Sequence, residues 1–214
     1  MEKEDVMDTA TQYKFLSRFY DLFDLIFLLG GKGNPRSGLL AAIGNGPLRI
    51  LDVCVGTASS ALLVAGRNDK NQVIGIDISA DMLAVARKKI AARNLPNLDV
   101  RGMSADKMSF EGGSFDVVMV SFALHELEDE LRDHVFEEIS RVLKSGGLFC
   151  VLDFARQDGL LNGLFMKAWT ILEPACFRPF LALDWKTGLT RYNFQLQTVK
   201  EYSFSNLYVM RKAA

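Results

Sequence analysis

The sequence is poor in the residues from which metal and disulfide sites are made. Its 214 residues include two histidines and three cysteines, Cys54, Cys150 and Cys176. The cysteines are scattered, form no CxxC pair and are odd in number, which argues against a disulfide framework or a structural zinc site. We therefore predict no metal cofactor, and we expect a reducing, cytoplasmic location.

Net charge and long apolar runs are lacking as well. A formal net charge of −1 gives no electrostatic attraction for nucleic acid, so we expect no nucleic-acid partner. No apolar run reaches the ~18 to 20 residues that span a bilayer. The first fourteen residues lack the apolar core of a secretory signal. These features predict a soluble protein that touches a membrane surface transiently at most.

The middle of the chain alternates between strand-like and helix-like segments. The strand-like runs are LRILDVCV, QVIGIDI, LDVRGM, FDVVMVSFAL and LFCVLDF. Helical patterns begin near Ser59 and cover Ala80 to Asn94 and Glu130 to Leu143. Several strands are continuous Val, Ile and Leu runs, as expected where both faces are covered. This alternation predicts an α/β fold with a doubly wound, mostly parallel sheet and right-handed crossovers.

The two ends of the chain depart from this alternation. Apolar residues at three- and four-residue steps predict a helix near the N-terminus, and we interpret residues 9–45 as a helical cover. Residues 155–185 form an apolar, aromatic insert. The runs LQTVKEYSFS and NLYVMRK that follow predict an antiparallel pair at the sheet edge. The length suits one well-buried core, so we interpret residues 1–214 as a single domain.

The stretch ILDVCVGTASSA, residues 50–61, predicts a buried strand that ends at an acid and turns through small residues into a helix. In open α/β sheets, ligands lie beyond the carboxyl ends of the strands. Only Gly56 is a glycine here, so the G-x-G-x-x-G and GK[ST] phosphate motifs are both absent. Their absence argues against a nicotinamide dehydrogenase. Asp52 would repel a pyrophosphate but could receive the ammonium group of an amino-acid-like ligand.

A second acid ends the next predicted strand, in GIDIS. Asp77 lies 21 residues after Gly56, an offset at which a carboxylate in a βαβ unit accepts hydrogen bonds from ribose hydroxyls. The first loop disfavours phosphate and suits an ammonium group, whereas the second strand end favours ribose. S-adenosylmethionine satisfies both requirements.

Five segments, in order over about residues 13 to 153, resemble the class I S-adenosylmethionine-dependent methyltransferases, and in detail the ubiquinone/menaquinone-biosynthesis group. They are the N-terminal Tyr13…Tyr20-Asp21 pattern, ILDVCVGTA, VIGIDISADMLAVARKK, SADKMSFEGGSFDVVMVSFALHEL and EISRVLKSGGLFCVLDF. The resemblance implies a Rossmann-like, seven-stranded methyltransferase fold. It also implies S-adenosylmethionine as cofactor, S-adenosylhomocysteine as product and methyl transfer as activity.

The resemblance further implies which residues line the cofactor. Those at its methionine end would be Asp52, Cys54, Gly56 and Ala58. Those at its ribose and adenine would be Asp77, Ile78, Met82, Ser104, Ala105 and Asp106. Those beside or above it would be Ser121, Tyr13 and Tyr20.

Three residues depart from the pattern of the family. Cys54 and Ala58 stand where small residues, most often glycine, are usual, and the methyl group of Ala58 either narrows the cofactor approach or shifts it. Ser104 stands where an aspartate commonly contacts the adenine amino group, a contact for which Asp106 is the alternative. These departures keep a second hypothesis open, a non-catalytic S-adenosylmethionine-binding or regulatory protein on the same fold.

The absence of a catalytic triad is compatible with methyl transfer. The sulfonium already makes the methyl group electrophilic, so the protein chiefly aligns the acceptor and excludes water. His125, in FALHEL past the fourth strand, is a candidate general base or orienting residue, with a hydrogen-bonded loop histidine as the alternative. The apolar insert favours a small aromatic or lipid-like acceptor with His125 at its polar edge. The methylated atom and the oligomeric state stay open.

Overall fold

The computed structural model describes residues 33–156 and 175–214. The predictions made for Tyr13 and Tyr20, for the first part of the helical cover and for most of the apolar insert lie outside these residues. Among the described helices, none has the length and apolar composition needed to cross a bilayer.

Seven strands form one sheet in the order β3-β2-β1-β4-β5-β7-β6. The strands are β1 Arg49–Val53, β2 Gln72–Asp77, β3 Leu98–Gly102, β4 Phe115–Ser121, β5 Leu143–Phe154, β6 Phe194–Glu201 and β7 Ser205–Lys212. Strands β1 to β5 pair in parallel, and β7 runs antiparallel to both β5 and β6. The predicted doubly wound sheet with an antiparallel C-terminal edge is confirmed.

Five α-helices are described, of which the second, third and fourth lie close to the predicted positions. They are α1 Pro35–Ile43, α2 Ser59–Arg67, α3 Ala80–Arg93, α4 Asp129–Val142 and α5 Phe177–Leu181. Helix α1 begins with Pro35 after Asn34, whose side chain accepts a hydrogen bond from the Arg36 amide. Helix α3 begins after Ser79, whose hydroxyl accepts from the Met82 amide. Both starts follow the capping preferences of helix N-termini.

The sheet is buried on both faces, which explains the continuous apolar runs. On one face Ile50 and Met119 pack in a cluster with residues of α1, α2 and α3. On the other face Leu51 and Val118 pack in a cluster with residues of α4 and α5, including Phe136. Neighbouring residues of one strand therefore pack in opposite clusters. Because both clusters are apolar, polar residues cannot alternate with apolar ones along these strands.

The strand order reverses between β1 and β4, because the chain continues from β1 to β2 on one side and from β4 to β5 on the other. In open α/β sheets, ligands bind at this reversal, beyond the carboxyl ends of the strands. The loops after β1 and β4 are therefore the first place to look for a functional site.

Replacement of Gly75 with alanine is expected to destabilise the protein by roughly 1 to 3 kcal/mol through overpacking. A Cβ atom on Gly75, in the middle of β2, would lie 2.6 Å from Cγ2 and 2.9 Å from Cβ of Val55. Val55 belongs to the loop after β1, and its amide donates to the Ile76 carbonyl, so the loop cannot move away freely. Urea unfolding measures the loss.

The same substitution at Gly66 is the matched control. Gly66 is an exposed residue of α2, and the nearest atom to an added Cβ is Cδ2 of Leu95 at 4.0 Å. Alanine there should raise the free energy of unfolding by up to about 1 kcal/mol. Equal effects at the two glycines would contradict the proposed contact between Gly75 and Val55.

Candidate functional site

The loop after β1 has an unusual concentration of left-handed backbone. Cys54, Gly56 and Ala58 have φ angles of 56°, 53° and 66°, a region that favours glycine and costs other residues about 1 to 2 kcal/mol. Because Cys54 leaves the extended conformation, β1 ends at Val53, two residues earlier than the run LRILDVCV predicts. The backbone thus explains why glycine is usual at positions 54 and 58.

Ala58 keeps this conformation with its side chain in the core. The residue is fully buried and belongs to the apolar cluster beneath α2. Its methyl group is therefore packed inside the protein. Gly56 is different, because no atom of the described residues lies within 4 Å of a Cβ placed on it. The open side of the loop is at Gly56.

Asp77, at the end of β2, holds this loop in place. Its Oδ2 atom accepts a hydrogen bond of 2.8 Å from the Gly56 amide, and its Oδ1 atom accepts one of 2.9 Å from the Ser79 amide. A carboxylate offers about four acceptor positions, so two such bonds leave capacity for a diol. The half-buried side chain joins the carboxyl ends of β1 and β2 at one site.

An exposed apolar side chain follows directly. Ile78 is 79% exposed, whereas Met82, the other residue assigned to the adenine, is buried. The Met103 amide donates to the Asp77 carbonyl, which brings the segment after β3 to the same edge. There the Ser104 hydroxyl donates to the Asp106 carboxylate. Apolar and polar groups thus adjoin Asp77, an arrangement that suits a flat polar ring.

Asp52 lies under the loop and is almost completely buried at 2% exposure. Burial raises the pKa of Asp52 from 3.8 to about 8, and the Asp77 charge adds to this, while Arg36 and the Ala61 amide oppose it. Arg36, in the first turn of α1, also donates to the Ser60 hydroxyl at 3.1 Å. Asp52 and Arg36 therefore bring an acidic and a cationic side chain close to each other near the carboxyl end of β1.

A hydroxyl pair connects this end of the site to β4. The Ser60 hydroxyl donates to the Ser121 hydroxyl at 2.9 Å, and the guanidinium of Arg36 lies 5.6 Å from the centre of the Phe122 ring. Phe122 has a φ of 53°, a strained backbone for a bulky residue of the kind that clusters at functional sites. Sequence reasoning missed Arg36 and Ser60, since no local signal predicts contacts over 24 and 61 residues.

His125 lies beyond the end of β4, in a 3-10 turn over Leu124–Glu126. Its Nδ1 atom is 2.7 Å from Oδ1 of Asp153, the penultimate residue of β5, which is fully buried. Asp153 also accepts hydrogen bonds from the amides of Leu124 and Phe154 at 3.0 and 2.8 Å. Sequence reasoning missed Asp153, although the signal was present, because it is an acid at the end of an apolar strand like Asp52 and Asp77.

A further group of acidic residues lies around the start of α4. The stretch EDELRDHVFEE forms the start of α4, where His134 is exposed. Within residues 33–156 and 175–214, no group of three or more His, Cys, Asp or Glu side chains is arranged to hold a metal ion.

Residues 50–147 match the protein family described as a methyltransferase domain. Over these residues the chain is similar to methyltransferase domains. Among curated relatives, the demethylmenaquinone methyltransferase of Bacillus cereus strain AH187 is 35% identical over 106 residues, which are 49% of this chain and 44% of the relative. The same enzyme of Bacillus anthracis matches equally well. The chain therefore matches less than half the length of these curated relatives.

Solved structures share the fold of this chain. An S-adenosylmethionine-dependent methyltransferase from Aquifex aeolicus superposes with a TM-score of 0.68 at 18% identity, covering 95% of this chain and 98% of its own. The [4+2]-cyclase SpnF superposes with a TM-score of 0.68 at 20% identity, covering 85% and 82%. At such identities the likeness establishes the fold alone.

Proposed function

We propose that this methyltransferase domain binds S-adenosylmethionine and transfers its methyl group to a small aromatic or lipid-like acceptor. The observation that carries the proposal is the junction of Gly56, Asp77 and Ile78 at the reversal of the strand order. There a carboxylate held by two backbone amides lies beside an open loop and an exposed apolar side chain. Ribose hydroxyls fit the carboxylate, and an adenine ring fits the apolar side chain.

The opposite end of the site suits the amino-acid part of the cofactor. The ammonium group would meet Asp52, and the carboxylate would meet the guanidinium of Arg36. A charged ligand group of opposite sign compensates the burial of each side chain. The bound cofactor supplies an electrophilic methyl group, and the protein orients the acceptor and excludes water.

The surroundings of His125 support an apolar acceptor. The rings of Phe154, Phe177 and Phe180 lie 4.8, 5.6 and 6.1 Å from the His125 ring. An acceptor bound here would meet aromatic walls and one polar edge, as the sequence predicts. The name of the Bacillus relatives, demethylmenaquinone methyltransferase, agrees with an aromatic, lipid-like acceptor. Such an acceptor brings the protein into transient contact with a membrane surface from the cytoplasm.

Calorimetric titration tests the cofactor. We expect S-adenosylmethionine and S-adenosylhomocysteine to bind and NAD not to bind, because the loop after β1 lacks the glycines that admit a pyrophosphate. Incubation of the protein and labelled S-adenosylmethionine with cell extract should then yield one product that gains a methyl group by mass spectrometry. NAD binding without S-adenosyl binding would overturn the proposal.

A second candidate is a protein that binds S-adenosylmethionine without methyl transfer. A structural neighbour is named as a [4+2]-cyclase, and a fold does not determine the reaction that it hosts. The non-catalytic candidate therefore stays open. A panel of acceptors separates the two candidates. Formation of S-adenosylhomocysteine with any acceptor supports the methyltransferase, whereas cofactor binding without turnover supports the second candidate.

A further inference from the structure

The turn between β6 and β7 packs against helix α1 at the carboxyl edge of the parallel strands. The Ala155 amide, just after β5, donates to the Phe204 carbonyl of this turn at 3.2 Å, and the Tyr202 amide donates to the Ser205 carbonyl at 2.8 Å. The Tyr202 side chain is 2% exposed and belongs to the apolar cluster that contains Leu39 of α1. The C-terminal hairpin therefore contributes a buried aromatic ring to the packing of α1.

The hairpin and α1 meet at a glycine. A Cβ atom on Gly38 of α1 would lie 1.7 Å from the hydroxyl oxygen of Tyr202 and 3.0 Å from Cζ of the same ring. The hydroxyl group thus occupies the space that any side chain at position 38 would need. Glycine inside a helix costs stability relative to alanine, and this close contact explains its presence in α1.

The Tyr202 hydroxyl makes no hydrogen bond within the part of the chain that the structure describes. A buried polar atom without a partner costs stability, so its presence needs a reason. Its size supplies one, because a phenylalanine at position 202 would leave a gap between the ring and Gly38. The ammonium group of Lys200 lies 5.5 Å from the centre of the ring and adds a cation–π contact.

Helix α1 also carries Arg36, two residues before Gly38. Successive helical residues are about 100° apart around the axis, so these two residues lie on nearly opposite sides of α1. Gly38 faces the hairpin, whereas the guanidinium of Arg36 donates to the Ser60 hydroxyl at 3.1 Å. The backbone hydrogen bonds of a helix keep its residues in fixed relative positions. A shift of α1 at Gly38 therefore also shifts Arg36.

We propose that Tyr202 positions Arg36 for the carboxylate of the cofactor, with its hydroxyl group acting as a spacer against Gly38. The inference rests on the proposed function, in which the guanidinium of Arg36 meets that carboxylate. Tyr202 and Gly38 are positioning residues and need no contact with the ligand. Hydrogen bonds between a guanidinium and a carboxylate are geometrically specific. A small displacement of α1 therefore weakens them and leaves the ribose and adenine contacts at Asp77 and Ile78 intact.

Gly38→Ala tests the proposal with two ligands that differ at the amino-acid end. S-adenosylhomocysteine carries the carboxylate, whereas 5′-methylthioadenosine retains the adenine, ribose and sulfur but lacks the amino acid. Calorimetric titration should show an affinity for S-adenosylhomocysteine about tenfold lower, the size of one charged hydrogen bond, and an unchanged affinity for 5′-methylthioadenosine. A merely structural role would lower both affinities or neither. The matched control Gly66→Ala, where an added Cβ meets its nearest atom at 4.0 Å, should leave both unchanged.

Removal of the Tyr202 hydroxyl should compensate for the added methyl group. In Gly38→Ala/Tyr202→Phe the new Cβ lies 3.0 Å from Cζ of the ring, a contact that a shift of a few tenths of an ångström relieves, so most of the lost affinity should return. Ser205→Ala is the control, because it also removes a buried hydroxyl that has no hydrogen-bond partner in the described residues. The atoms nearest to the added Cβ belong to Tyr202 and Leu207, so Ser205→Ala should restore nothing.

Arg36→Gln shows whether the effect passes through Arg36. This variant alone should bind S-adenosylhomocysteine more weakly, and Gly38→Ala added to it should cost little further affinity, because the two act on the same bond. If Gly38→Ala does not fold, Tyr202→Leu removes the contact from the hairpin side and should show the same selective loss.

Equal losses for the two ligands, no loss in either variant, or full additivity of Gly38→Ala and Arg36→Gln would overturn the proposal. Failure of Tyr202→Phe to restore affinity, or restoration by Ser205→Ala, would also overturn it. Failure of the unaltered protein to bind S-adenosylhomocysteine would instead refute the proposed function.

Discussion

Asp52→Asn should stabilise the protein at pH 8 by roughly 3 kcal/mol or more and change its stability little near pH 4. Burial raises the pKa of Asp52 to about 8 from 3.8, so between these values the folded state keeps a proton that the unfolded chain has released. The free energy of unfolding therefore falls as pH rises, by at most about 1.4 kcal/mol per pH unit. Asparagine has no proton to lose, and the variant lacks this slope.

Urea unfolding at pH 5, 6, 7 and 8 measures the difference, with Asp116→Asn as the control. Burial alone would raise the pKa of Asp116, but hydrogen bonds from Lys144 and the Arg49 amide lower it overall. The control should therefore lose stability at neutral pH, and its difference from the unaltered protein should vanish as the medium becomes acidic. An equal pH slope in Asp52→Asn and the unaltered protein would contradict the burial of a protonated Asp52.

The raised pKa of Asp52 also couples proton release to cofactor binding. If the ammonium group of the cofactor binds the Asp52 carboxylate, binding below pH 8 must displace the proton that the unliganded site holds. Calorimetry in buffers of different ionisation enthalpy should detect this release in the unaltered protein. Asp52→Asn should bind more weakly and release none, so the variant would gain stability while it loses function.

Asp77→Ala should lose at least about tenfold in affinity for S-adenosylmethionine and S-adenosylhomocysteine. Hydrogen bonds to a charged group contribute about 1.5 to 3 kcal/mol each, and about 1.4 kcal/mol corresponds to a factor of ten. The substitution also removes the acceptor for the amides of Gly56 and Ser79. The loss of affinity should therefore exceed that of a ribose contact alone.

Calorimetric titration of both ligands measures the affinity, and urea unfolding measures the accompanying loss of stability. Asp81→Ala is the control, because it removes the same charge from an exposed position in the first turn of α3. We expect that variant to bind both ligands normally. If Asp77→Ala retained the affinity of the unaltered protein for S-adenosylhomocysteine, Asp77 would not belong to the ligand site.

Local sequence patterns determined most elements of the fold and two of the acids at its functional edge, Asp52 and Asp77. Strands covered on both faces must be apolar throughout, so the runs that contain Ile50 and Val118 could be recognised without tertiary information. An acid is exceptional in such an apolar run and stands out near its carboxyl end, as Asp52 and Asp77 do. Asp153 stands out equally, but an acid near a strand end does not reveal which residue it will contact.

Tertiary structure decided which of these groups contact each other, and it decided their backbone conformation and pKa. The pairing of His125 with Asp153 requires β4 and β5 to be adjacent, and the Gly56–Asp77 bond requires β1 beside β2. Periodicity predicts that strands exist, but their order follows from how the helices cover the two faces. The left-handed backbone at Ala58 and Phe122 and the raised pKa of Asp52 arise in the same way. Each is imposed by surrounding atoms far away in the chain, whose contacts outweigh the local preference of the residue.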